Sequence, residues 1–134
     1  IYKMEIIEDQ LLDQVSRKAK ENQRLRMNYN FHTSPEAGAQ RLLNALEPGT
    51  ELPIHRHTHT AETYLVIRGK IKVLLYNDMK QITDTVVLDP LQGNYGVNIP
   101  IGQWHTLEVL TSGTVIFEVK DGPYTPISEE NILI

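Results

Sequence analysis

The sequence predicts an all-β domain, an antiparallel sandwich or barrel with one short helix near its N-terminus. Three observations carry that expectation: one early helical stripe, a series of short strands punctuated by turn residues after Gly49, and a length of 134 residues that suits a single domain. Ile1 to Ile7 has little pattern and reads as a short strand. In Asp9 to Asn22, Leu11, Leu12, Val15 and Ala19 recur on one side at helical spacing while Asp13, Arg17, Lys18 and Lys20 are left for water, with Asp9 as the expected N-cap. From Leu25 the period changes to two, with Leu25, Met27, Tyr29 and Phe31 alternating with Arg26, Asn28, Asn30 and His32, as in a half-buried strand. Glu36 to Leu46 is ambiguous, because its Ala and Leu residues are good helix formers and propensity alone gives a helix. Strands are then expected at 62–68, 70–76, 82–88, 95–99, 104–110 and 114–120, separated by Gly69, Asn77-Asp78, Pro100, Gly102 and Ser112-Gly113. The predicted organisation is an extension over residues 1–24 packed on a barrel over residues 25–134.

Composition removes several function classes. Thirteen Lys and Arg against seventeen Asp and Glu give a net charge of −4, with no basic block, so nucleic acid is not an expected partner. The absence of Cys excludes disulfides, thiolate metal sites and cysteine nucleophiles, so any metal must rest on His, Asp or Glu. No apolar run approaches the roughly 20 residues that cross a bilayer, and a cytoplasmic protein without a membrane partner is expected. The chain begins at Ile1 rather than Met, which leaves a removed leader open.

Three of the five histidines, His55, His57 and His59, fall within five residues. In an extended strand they share a parity and leave one face at intervals of roughly 6.6 Å, so two neighbours can reach one metal. Glu62 opens the next strand, where a tight bend brings its carboxylate back over that face, and His105 starts a later strand just after the Pro100-Ile101-Gly102 turn. Imidazoles from separated strands plus one carboxylate suit one divalent transition metal, Fe, Mn, Ni, Co or Zn. Taken alone, the histidine run also reads as a solvated loop.

The spacing Gly49-(x5)-His55-x-His57-(x4)-Glu62-(x6)-Gly69 resembles the first motif of the cupin superfamily at every position, and Pro100-x-Gly102-x-x-His105 resembles the second. The second departs at Asn94, where the family has Gly, and at Val109, where it often has Asn. Further segments, Arg26 to His32, Gln40-Arg41-Leu42, Ala45 to Thr50 and Val115 to Pro126, are similar to the WbuC family of small cupin-fold metalloproteins. That resemblance implies a single cupin barrel, the double-stranded β-helix or jelly roll, holding one divalent metal, in a family associated with bacterial surface-polysaccharide biosynthesis. It also replaces the helix reading of Glu36 to Leu46 by a barrel strand over Gln40 to Leu46, and it implies a homodimer.

The expected metal ligands are His55, His57, Glu62 and His105, with His59 as a rival to His55 that the Gly49 spacing disfavours. An octahedral metal with four such ligands keeps two open positions, which suit a hydroxy-ketone, sugar diol or 2-oxo acid. His59, of the same parity as the ligands, and Tyr64, two residues beyond Glu62, are the candidate catalytic groups. Arg41, His32 and Asn30 are candidate contacts for an anionic substrate group. Trp104 should face away from the metal and pack at an interface. Ile71, Val73 and Leu75, like Val115, Phe117 and Val119, are read as apolar lining that offers no acid or base. The favoured function is a metal-dependent isomerase or epimerase acting on a sugar or nucleotide-sugar. An Fe- or Ni-dependent oxygenase and a non-catalytic metal-dependent binding or regulatory module are the alternatives.

Overall fold

Residues 3–134 are described by a computed structural model. Its regular elements are α1 (Asp9–Glu21), β1 (Arg26–Asn30), β2 (Ala39–Leu46), β3 (Ile54–His55), β4 (Glu62–Arg68), β5 (Ile71–Tyr76), β6 (Ile82–Leu88), β7 (Gly96–Ile99), β8 (Trp104–Val109), β9 (Thr114–Asp121) and β10 (Ile132–Leu133). They form two five-stranded antiparallel sheets, ordered β1-β2-β9-β4-β7 and β10-β3-β8-β5-β6, a jelly-roll barrel with α1 outside it. Residues 1–2 of the expected N-terminal strand lie outside the described residues, and residues 3–7 form no strand.

The barrel interior is filled by Leu46, Tyr64, Val66, Ile71, Val73, Leu88, Ile99, Leu107 and Ile116. A second cluster lies on the outer face of the first sheet, where Leu12, Val15 and Ala19 of α1 cover Leu43, Ala45 and Val115. Each such buried Leu or Val contributes about 1.5–3 kcal/mol, and Arg68 pins the helix further through Asp13 (2.8 Å) and Ser16 (3.2 Å). The helix starts one residue earlier than expected. Leu12 N–H donates to Glu8 O at 3.1 Å, which makes Glu8 the N-cap and places Asp9 in the first turn, where its charge favours the helix dipole.

Two central strands are covered on both faces because one face meets the barrel interior and the other meets α1. In β2 this run of Ala and Leu mimics a helix, yet it is a strand from Ala39 to Leu46, paired with β1 and β9 along its length. In β9 it inverts the expected lining: Val115 and Phe117 pack toward the helix cluster, while Ile116 faces the core and Glu118 and Lys120 share its parity. The lining therefore does carry an acid and a base.

Gly69 shows why the first motif ends in glycine. Its φ is +95°, and an added Cβ would stand 2.7 Å from Thr114 Cα, backbone that cannot step aside. Gly69→Ala is expected to cost about 2 kcal/mol, from left-handed strain and overpacking together. The check is a lower urea midpoint at unchanged m-value.

Candidate metal centre

β3 and β8 are adjacent, and their register sets His55 directly opposite His105, with ring centroids 4.3 Å apart. The chain leaves β3 after His55, and the loop turns His57 inward; Gly102 N–H donates to His57 O at 2.8 Å, so the turn of the second motif clamps the loop of the first. Glu62 approaches from β4 across the interior, with Oε1 2.7 Å from His57 Nε2 and 3.1 Å from His105 Nε2. One ligand atom from each of His55, His57, Glu62 and His105 lies within 4.8 Å of all the others.

The donor set fits a cation. His55 Nδ1 lies 2.9 Å from Pro53 O and His105 Nδ1 lies 2.8 Å from Gln103 O. A carbonyl only accepts, so each Nδ1 carries the proton and each Nε2 presents a lone pair to the cluster, the outer-shell pattern of metal-bound histidine. With Nδ1 so engaged, the 3.1 Å contact between His105 Nε2 and the Glu62 carboxylate needs a cation between them, a proton in the metal-free protein or a metal in its place. Burial, reinforced by the nearby charge of His105, pushes the His55 imidazole down to about 4, so it is neutral and available as a ligand. Burial alone would raise the Glu62 carboxyl, but hydrogen bonds from His105 and His57 outweigh it and hold the group below the usual carboxylate range.

Tyr64 is 3% exposed, and its hydroxyl lies 3.2 Å from Glu62 Oε2 and 3.3 Å from His105 Nε2. Burial, then the charge of Glu62, raises the phenol well above its ordinary value, so it stays a neutral donor. The four residues of that cluster, with Tyr64, Asn44, Glu118 and Lys120, line a cavity of about 130 Å³. A groove of about 410 Å³ adjoins it, sharing Glu118 and Lys120 and including Asn30, His32 and Gln40.

The expected contacts divide accordingly. Asn30 and His32 reach the groove, although His32 Nδ1 is engaged by the Arg41 backbone at 3.1 Å. Arg41 is exposed and lines neither space, because its parity on β2 is opposite to that of Gln40 and Leu42. His59 is exposed at the rim, its ring 6.2 Å from that of His57, and it is not among the cavity lining. The shared strand parity ends at β3, so the three histidines do not share a face. Trp104 does turn away from the cluster, but it is buried within its own chain, donating to Asp78 (2.8 Å) beneath the Arg56 guanidinium.

Sequence reasoning missed Glu118, Lys120 and Asn44. Glu118 is 8% exposed, and burial, then the charge of Glu62, raises its carboxyl above the ordinary range. The available signal was the even-numbered alternation of polar residues in β9, hidden by the stronger apolar alternation on its other face.

A family model described as a domain of unknown function, DUF6016, matches residues 7–88. No curated protein matches the sequence. Among solved structures, the capsular polysaccharide assembling protein CapF from Staphylococcus aureus is 22% identical with a TM-score of 0.58, over 74% of this chain and 27% of CapF. This chain thus spans little more than a quarter of that protein. A cupin 2 domain-containing protein from Halorhodospira halophila is 16% identical (TM-score 0.60, covering 77% and 68%). The SPY1581 protein of unknown function from Streptococcus pyogenes is 14% identical (TM-score 0.62, covering 93% of both chains). At these identities the likeness is one of fold, and that fold is the cupin barrel.

Proposed function

We propose the following for this chain, which belongs to the DUF6016 family: it is a metal-dependent cupin enzyme that isomerises or epimerises a sugar-type substrate of surface-polysaccharide biosynthesis. The observation that carries the reading is the buried convergence of His55, His57, Glu62 and His105, ligand atoms within 4.8 Å of one another, beside further proton-bearing groups. A divalent metal held there supplies Lewis-acid polarisation of a substrate carbonyl or hydroxyl. Glu62 supplies the one negative charge among the ligands. Tyr64 donates its hydroxyl hydrogen to Glu62 or His105 and fixes their orientation. His59 stands outside the cavity, so the proton-transfer role goes to Glu118, which lies inside it.

The polysaccharide context is supported by the similarity to WbuC proteins and by the description of CapF as a capsular polysaccharide assembling protein. A homodimer through the edge strand β6, where Ile82, Val86 and Val87 are exposed, belongs to the same proposal.

The test is solvent exchange. Metal-loaded protein in D2O, incubated with keto-sugars such as D-fructose, should move deuterium onto the carbon beside the carbonyl, read by loss of that proton's NMR signal. Chelator-treated protein should not. Metal-dependent oxygen consumption without exchange, or neither reaction across a panel of keto-sugars, would overturn the isomerase reading.

A further inference from the structure

The register of the first sheet lays a polar stripe across its concave face. Glu62 pairs with Lys120, and Lys120 with Gln40; Tyr64 pairs with Glu118, Glu118 with Leu42, and Leu42 with Asn30; Asn44 pairs with Asn28. Directly opposed residues on one face stand about 4.5–5.5 Å apart at Cβ. Polar groups thus extend from Glu62 through Lys120 to Gln40 on β2, and from Glu118 past Leu42 and the neighbouring Asn44 to Asn30 and Asn28 on β1, where an ordinary barrel interior would be apolar.

Several groups in this stripe have unspent bonding capacity. Among the described residues Asn44 Oδ1 is buried with no hydrogen-bond partner, which a native structure rarely tolerates unless something binds there. Glu118, nine-tenths buried, has only the long 3.4 Å contact from Asn44 Nδ2 among the described residues. The Lys120 ammonium is half-buried between two acids of its own face, yet among the described residues it lies within 4.0 Å of neither. Among the described residues it is also the only Lys or Arg lining the cavity or the groove.

Size and charge then select a ligand. The 130 Å³ cavity is smaller than the roughly 300–1,000 Å³ of small-molecule sites, whereas cavity and groove together fall within that range. Hydroxyl groups satisfy Asn44 Oδ1 and Glu118. One ammonium matches one negative charge, while a phosphate brings about −1.5 to −2 against nearby Glu62 and Glu118, and no arginine fork is present to receive it.

We propose that cavity and groove form one binding site for a sugar acid, with its chelating oxygens toward the His55/His57/Glu62/His105 cluster, its hydroxyls on Asn44 and Glu118, and its carboxylate on Lys120. The chelating end rests on the metal-centre reading; the carboxylate end does not. The site narrows the substrate class to uronate-like sugars and away from sugar phosphates and nucleotide-sugars.

The experiment compares D-glucuronate, D-glucose and D-glucose 6-phosphate by titration calorimetry and saturation-transfer NMR, on metal-loaded and on chelator-treated protein. Glucuronate should bind at least tenfold tighter than glucose. Lys120→Met should remove that preference while leaving glucose affinity, metal content and melting temperature unchanged. Asn28→Ala/Asn30→Ala should weaken all three sugars without altering the preference. Tighter binding of glucose 6-phosphate, no binding of glucuronate, or a preference that survives Lys120→Met would overturn the proposal. A Lys120-dependent preference in protein that takes up no metal would sustain the groove and sink the metal centre instead.

Discussion

A His57→Ala/His105→Ala variant is expected to hold less than about a tenth of an equivalent of metal, where the wild-type chain, purified without chelators or a histidine tag, carries about one. The two imidazoles reach the cluster from opposite sides, one from the loop after β3 and one from β8, and both contact the same oxygen of Glu62. Loss of a group that merely orients a ligand costs about 10–100-fold in metal affinity, so deleting two direct ligands should cost on the order of 10³-fold or more. The variant also strands a carboxylate that is 2% exposed, with only the Tyr64 hydroxyl left to serve it. The Glu62 carboxyl should then rise from its lowered state, because burial still acts and the opposing hydrogen bonds are gone. Elemental analysis gives the stoichiometry, and the melting temperature with and without added metal shows whether the variant has folded. Equal metal in both proteins, or none in wild type after reconstitution with Fe, Mn, Ni and Zn, would sink the metal centre and leave the histidines as acid-base or ligand-binding groups.

The fold and the clustering of His55, His57, Glu62 and His105 were legible for one reason, and the rest of the pocket was hidden for another. Glycine and proline positions are dictated by backbone geometry alone. Gly49 and Gly69 both adopt positive φ, and Gly102 carries the turn that clamps His57, so their spacing to the histidines survives as a pattern in the chain. What could not be read was which face of a doubly covered strand points inward. In β9 the apolar residues of one parity serve α1 and those of the other serve the barrel. The stronger of the two alternations belongs to the outside, so Val115, Phe117 and Val119 read as the lining and Glu118 and Lys120 went unassigned. The same double burial made β2 look helical. Arg41 lies outside both the cavity and the groove for a related reason: polar character marks a residue as facing water or a site, and only the register with β1 and β9 tells which.

Metal-free protein is expected to lose about 3 kcal/mol of stability between pH 7 and pH 4 through His55 alone. Its imidazole is pushed from 6.5 to about 4, first by burial and then by the charge of His105, against the weaker pull of the Pro53 carbonyl and Glu62. Because the folded-state value is depressed, the unfolded chain takes up this proton first. The contribution is complete above pH 6.5, falls as the pH drops toward 4, and is flat below. Glu62 adds a loss only beneath its ordinary value of 4.5, since its folded carboxyl is also depressed. Glu118 acts in the opposite direction, because its raised carboxyl binds a proton more readily in the folded state. A His55→Gln variant isolates the imidazole from both. Urea unfolding in chelator at pH 7, 5.5 and 4 should show wild type losing about 3 kcal/mol more than the variant; parallel losses would show that His55 titrates normally. The neutral imidazole is the form that offers a lone pair to a metal, so the burial that makes the metal-free barrel acid-sensitive is also what keeps His55 a ready ligand across the neutral range.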